Sequence, residues 1–277
     1  MRRASQAFTI LALTATIMSC TPQTTPATTP TLAASTLHMY ATSSTHSLVL
    51  DLATAYSETH PEINIGVTSV NDTTDIPQPV ETRSQYVVTV NADPAQFDWI
   101  VPIAQDAIVL LIDPDTTLSD VSVEQIRAIY QGRISNWEVV TETIGPIIPV
   151  SREMGSDLRT EFERLVMGQS RIMAGVRILT SDQQMAAFVG NTSGAVGYVS
   201  LGSITDASAV IPLDGVIPSV ESVMQGIYPL RTTIYLAGQR PRNAQERTFV
   251  NWVQGIEGQR VVSRRYVPLL PVTFEGD

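Results

Sequence analysis

The chain predicts an α/β protein built on a parallel sheet, and two observations carry that reading. From Leu37 onward apolar extended stretches alternate with helical ones, and "LHMYATS", the helical stretch Thr45 to Thr59 and "INIGVTSV" make a βαβ unit, which requires a parallel strand pair. With 277 residues, 43% of them hydrophobic, there is enough chain for one large or two ordinary domains with real cores.

The elements follow in order. The first helix offers Leu48, Leu50, Leu52, Ala55 and Tyr56 to a core, and Pro61 stops it. Residues 71–84 are polar, carry Pro77 and Pro79 and read as a loop with room for one helical turn. "QYVVTVN" is a strand, and "WIVPIAQDAIVLLID" is two strands or one long bent one. Ser122 with Gln125 three residues on has the spacing of a capping box, and Gly132 closes that helix. Strand "IIPV", helix Ser156 to Met167, strand "RILT", helix Asp182 to Val189 and strand "AVGYVS" come next. The long extended stretch "GIYPLRTTIYLA" and a last helix, Ala244 to Gln259, burying Phe249, Val250, Trp252 and Val253, complete the pattern. Trp137 reads as a packing residue of the turn after its helix.

The N-terminus is a different kind of text. Arg2 and Arg3 precede an apolar run from Ala7 to Met18, too short to span a bilayer, so residues 1–20 read as a signal for export. The run ends in "IMSC", which resembles a bacterial lipobox and makes Cys20, the one cysteine, a candidate lipidation site. An ordinary signal peptide with an incidental cysteine is the alternative. Residues 21–36, rich in Thr and Pro, read as a disordered tether holding the body off a membrane.

Charge and composition exclude several classes. The formal charge is −10, from 27 acidic against 17 basic residues, and every base is arginine, with no basic run for nucleic acid to use. His38, His46 and His60 have no spacing that suggests a metal site or a Ser-His-Asp set, and no paired acid and base emerges, so neither an enzyme nor a cofactor is expected.

One stretch does suggest chemistry. In "PVSREMGSDLRTEF" a strand ending near Val150 runs through Ser151, Arg152, Gly155 and Ser156 into a helix. Unpaired N–H groups at a helix start, the helix dipole and an arginine together suit an anion. Alternatively, Arg152 is a surface residue and Ser156 only an N-cap. Asp157 stands in the same turn and complements the dipole by itself. A carboxylate about 5 Å from a bound anion costs about 3 kcal/mol per unit of ligand charge at an effective dielectric of about 20, or about two decades of affinity. The side chain faces the anion, turns to solvent or pairs with Arg159 or another arginine; the sequence leaves that open.

Several segments resemble the phosphate-binding proteins of bacterial phosphate ABC transporters, a family of type II periplasmic-binding folds. "VSVEQIRAIYQGRISNW" is similar to the family's helix followed by a G-(K/R)-I-x-N-W turn, and "PVSREMGSDLRTEFERLVMG" to its S-R-x-x-G-S-G-T-R-x-x-F block. "SGAVGYVSLGSI" and "YPLRTTIYLA" resemble its G-A-I-G-Y and return strands. The likeness runs from Asp106 to Leu236. It implies a two-lobe fold, each lobe a mixed sheet flanked by helices, joined by two crossing hinge strands, with lobe one at 37–106 plus 232–277 and lobe two at 107–231.

The resemblance also implies ligand residues. Arg152 and Ser156 match family anion ligands, but a family glycine falls on Asp157 and a family threonine on Leu158. Thr42, Ser43, Ser44 and Thr45 are candidates for the first-strand loop, and Asn91 or Asp93 for a family aspartate. "TSVNDTTD" lacks the glycines of the family's second-strand loop. The implied function is an exported, lipid-anchored, monomeric solute-binding protein that holds phosphate or a related oxyanion in an inter-lobe cleft and presents it to an ABC permease. An anchored sensor or interaction protein with a diverged pocket, or a binding protein for a different small ligand, is the alternative.

Overall fold

A computed structural model describes residues 35–71, 73–76, 84–205, 209–239 and 243–271. The signal segment, Cys20 and nearly all of the tether lie outside the described residues, as do Pro77 and Pro79. In chain order the elements are β1 (Ser35–Thr42), α1 (His46–Thr59), β2 (Ile63–Val70), β3 (Ser84–Thr89), β4 (Trp99–Ile112), α2 (Val123–Tyr130) and β5 (Ile148–Arg152). Then come α3 (Asp157–Phe162), β6 (Arg177–Leu179), α4 (Asp182–Gly190), β7 (Ala195–Ser200), α5 (Val220–Met224), β8 (Arg231–Gly238), α6 (Ala244–Gln254) and α7 (Ile256–Val262). A 3-10 turn at Thr73–Asp75 supplies the single turn expected in the polar loop.

The strands form one sheet in the order β2-β1-β3-β8-β4-β7-β5-β6. β1 pairs in parallel with β2 and β3, and β5 with β6 and β7, as βαβ crossovers demand. β8 and β4 run antiparallel to their neighbours, which makes the sheet mixed.

β4 decides the architecture. It is one strand of 14 residues, bent by a register shift between Pro102 and Ala104, where proline cannot donate to the ladder. Along Trp99–Ala107 it pairs with β8, and from Ile108 to Ile112 it pairs with β7. Two hydrophobic cores flank that handover. One gathers side chains from Leu37 to Ala104 and Ile234 to Tyr266; the other runs from Ala107 to Leu230 and adds Val267. The fold is therefore two-lobed, with β4 and β8 carrying the chain between lobes.

Local chemistry explains most elements. The α2 capping box is complete: Ser122 Oγ accepts from Gln125 N at 3.1 Å and Gln125 Oε1 accepts from Ser122 N at 2.8 Å. Gly132 ends the helix with φ of 75°, a left-handed conformation open to glycine. Trp137 is buried and its indole N–H donates to the Gly194 carbonyl at 3.2 Å, a packing role.

Three expectations are corrected. Leu50 is exposed, because the 3.6-residue period places Leu48, Val49, Leu52, Ala53 and Tyr56 on the buried face. Helix Ser156 to Met167 keeps its α form only to Phe162 and widens into a π turn over Glu163–Met167. The last helix breaks at Gly255, whose backbone is extended with ψ of 175°, and restarts as α7. There Gly258 lies so close to α6 that an added Cβ would meet Trp252 O and Val253 Cα at 2.5 Å.

Candidate functional site: a buried anion cradle between the lobes

The cradle forms where the β1–α1 loop, the end of β3 and the start of α3 meet. Thr45 N donates to the Thr42 carbonyl at 3.0 Å, so the loop turns tightly, and Thr45 Oγ1 donates to the Val88 carbonyl at 2.7 Å, tying that turn to β3. The turn gathers hydroxyls: Thr42 Oγ1 lies 3.3 Å from Ser44 Oγ and 3.1 Å from Thr45 Oγ1. Thr42, Ser44, Thr45 and Thr89 are all buried.

Asp157 enters this cluster from the other lobe. It is only 3% exposed. Its Oδ2 accepts from Thr42 Oγ1 at 2.5 Å, Ser44 Oγ at 2.9 Å, and Thr89 Oγ1 and Val90 N at 3.2 Å each. Its Oδ1 accepts from the Leu158 N–H at 2.7 Å. Solvent and Arg159, the other directions open in the sequence, are not taken: Arg159 Nε pairs with Glu163 at 2.8 Å and its Nη1 donates to the Arg152 carbonyl at 2.9 Å.

Arg152 is held beside the cradle at the end of β5, with a wholly buried side chain. Its Nη1 pairs with Asp182 Oδ1 at 2.6 Å, its Nε donates to the Leu179 carbonyl at 3.2 Å, and its Nη2 donates to the Thr180 carbonyl at 2.9 Å and to Ser43 Oγ in the facing lobe. Asp182 Oδ2 accepts from Ser200 N at 3.2 Å. Burial raises the Asp182 carboxyl above its ordinary value, with the Arg152 charge pulling the other way.

Ser200 connects this pair to β4. Its Oγ donates to Asp106 Oδ2 at 2.6 Å, and Asp106 Oδ1 accepts from Ala107 N at 2.8 Å and Leu201 N at 3.1 Å. Burial pushes the Asp106 carboxyl up to about 7, against the lowering effect of those hydrogen bonds and with the Asp182 charge adding to the rise.

The remaining predicted residues take separate places. Ser151 is buried with its Oγ 2.9 Å from the Tyr198 hydroxyl. Ser156 caps α3, accepting from Arg159 N at 3.3 Å, and Gly155 makes the preceding turn with φ of 91°. Asn91 is half-buried and its N–H donates to Thr89 Oγ1 at 3.1 Å. Asp93 is exposed and accepts from Ala95 N at 2.9 Å within its own loop. Thr89 and Val90 N thus supply the β3 donors, and sequence reasoning missed both, together with Asp182 and Asp106. An acid inside the apolar run "AQDAIVLLID" was the available signal for Asp106; nothing singled out Thr89.

On the Arg152 side a cavity of about 550 Å³ opens, lined among others by Ser43, His46, Ser69, Thr180, Asp182 and Arg265. Among the described residues, no group of three or more His, Cys, Asp or Glu is placed to hold a metal ion, and no helix is long and apolar enough to cross a membrane.

A two-lobed α/β body with crossing strands and a polar cleft is the architecture of periplasmic binding proteins. Consistent with it, a model of the PBP superfamily domain matches residues 24–255, and the chain belongs to that superfamily. The "Phosphate-binding protein PstS" of Bacillus subtilis is 24% identical over 256 residues, covering 88% of this chain and 84% of the relative. A Clostridium perfringens structure, described as a phosphate ABC transporter substrate-binding protein with bound phosphate, superposes with a TM-score of 0.77 at 22% identity, over 85% of this chain and all of that one. An ABC-type phosphate transport receptor from Vibrio cholerae gives 0.70 at 21% identity, with the same coverage.

Proposed function

We propose that the chain is the extracytoplasmic solute-binding component of an ABC importer, and that its cleft takes a small oxyanion, phosphate first. One observation carries the reading. Three hydroxyls and a backbone N–H converge on a single oxygen of Asp157, although a carboxylate oxygen offers about two lone-pair sites. A cradle with more donors than its carboxylate can use suits a guest with more oxygens, such as a tetrahedral oxyanion. The names of the relatives support the same ligand. Binding requires no bond-making chemistry, so the chain is read as a receptor and not as an enzyme.

Lobe limits of 37–106 with 232–277, and 107–231, belong to the proposal, supported by the change of core between Ala104 and Ala107 and between Leu230 and Ile234. So do export by residues 1–20, the tether expected at 21–36, whose last two residues, Ser35 and Thr36, instead open β1, the lipid anchor at Cys20 and a monomeric state. Calorimetric titration with phosphate, arsenate and glucose tests the ligand. Saturable binding of phosphate, competed by arsenate and not by glucose, is expected. No oxyanion binding by either the natural chain or its Asp157→Gly variant would remove the reading.

The buried Asp157 favours one second reading, an anchored sensor or interaction protein whose pocket has diverged. Phosphate uptake separates the two. Loss of uptake when the gene is deleted supports the importer, and unchanged uptake supports the sensor.

A further inference from the structure

We infer that Asp157 is a resident guest of the cradle: its carboxylate competes with the external oxyanion for the same hydroxyl and N–H donors and so sets the affinity of the site. The inference rests on the oxyanion reading above and adds what governs occupancy. An oxyanion bound to Thr42, Ser44, Thr89 and Val90 N needs the donors that Asp157 already engages. Two anions cannot share them, because at contact distance in a water-poor site their repulsion exceeds what one extra hydrogen bond returns. Entry of the oxyanion therefore requires the Asp157 side chain to leave.

The surroundings of Asp157 favour this competition. The guanidinium of Arg152 is directed to Asp182, Glu153, Ser43 and two carbonyl oxygens, and that of Arg159 to Glu163 and the Arg152 carbonyl, so hydroxyls and N–H groups carry the Asp157 contacts. The tether is short as well. Asp157 follows the N-cap Ser156, and its Oδ1 accepts from Leu158 N, so the carboxylate is held at the cradle by its own backbone. Those donors from lobe one and that carboxylate from lobe two also bridge the lobes, a contact that an inter-lobe ligand would otherwise supply. Binding and departure of Asp157 are then linked: the apparent affinity falls by the fraction of molecules in which the cradle is free.

The test compares the natural chain with Asp157→Gly, which clears the cradle, and Asp157→Asn, which keeps the volume and drops the charge. Each is titrated with inorganic phosphate by calorimetry, and each is melted with and without phosphate, with circular dichroism checking the fold. Asp157→Gly is expected to bind phosphate about a hundredfold more tightly than the natural chain, and to gain more thermal stability from it. Asp157→Asn is expected to bind more tightly than the natural chain, and it carries the test alone if the glycine variant does not fold. Equal affinities in natural and variant chains would overturn this inference while leaving the oxyanion reading in place. Binding by none of them would remove the oxyanion reading and this inference with it.

Discussion

Two buried carboxylates, Asp157 in the cleft and Asp106 on β4, have similar surroundings and opposite consequences. Each accepts from serine or threonine hydroxyls and from backbone N–H groups, and each is nearly or wholly inaccessible. Asp106 draws its partners from its own crossing region, Ala107, Ser200 and Leu201, and burial outweighs them, so its carboxyl is lifted to about 7. Asp157 draws four of its five donors from the opposite lobe. Burial alone does not make a functional carboxylate. What distinguishes the two is whether the donors belong to a surface that can separate from the acid.

The Arg152–Asp182 pair lies between the two acids and bears on both, so breaking it gives the largest effect. Arg152→Ala leaves Asp182 buried without its cation and is expected to cost up to about 5 kcal/mol of stability, read from urea unfolding. A loss below about 1 kcal/mol would mean that the pair is not the anchor of this region.

Next in size is the pH dependence from Asp106. Its folded-state value, about 7, lies above the ordinary 3.8, so the native state holds the proton more tightly across that window. The contribution of Asp106 to stability is then fullest below about pH 4 and is lost as pH rises to 7, by about 4 kcal/mol if fully expressed. Asp106→Asn should flatten that fall and be more stable than the natural chain at pH 8. Unfolding curves at several pH values check it, and an unchanged slope in the variant would assign the effect to another group.

Asp157→Asn should move the other way at neutral pH. Replacing an acceptor of charge-assisted hydrogen bonds by an amide costs about 2 kcal/mol in phosphate-free buffer. The two asparagine variants thus carry opposite signs, and a shared sign would break the distinction between the two acids. The smallest effect concerns the support of Arg152. Tyr198→Phe deletes the hydroxyl that lies 2.9 Å from Ser151 Oγ and accepts from Arg152 N at 3.2 Å, and it should cost about 1 kcal/mol in the same unfolding assay.

Much of the fold was legible because its signals are local. The capping residues of α2, the uninterrupted β2 and β7, and the glycine that closes α2 follow from side chains within a few positions of one another. The break at Gly255 was not legible, since the apolar pattern continues through Ile256 and Val261 and only packing against α6 turns the chain. Leu50 misled for a related reason: being apolar does not place a residue on the buried face of a helix.

The cleft divides in the same way. By itself the sequence determined the alternating α/β order, the position of the polar turns at strand ends, and the presence of Arg152, Ser156 and Asp157 in one turn. Only the tertiary structure decided that Asp157 points inward, that Thr89 and Val90 N meet it, and that Arg152 is taken by Asp182. These are contacts between residues 30 to 115 positions apart: the Asp157 contacts are made where the two lobes meet, and the Arg152–Asp182 pair where β5 and α4 come together within one lobe. A side chain's direction in a cleft depends on which partners reach it there, and no window of neighbouring residues contains that information.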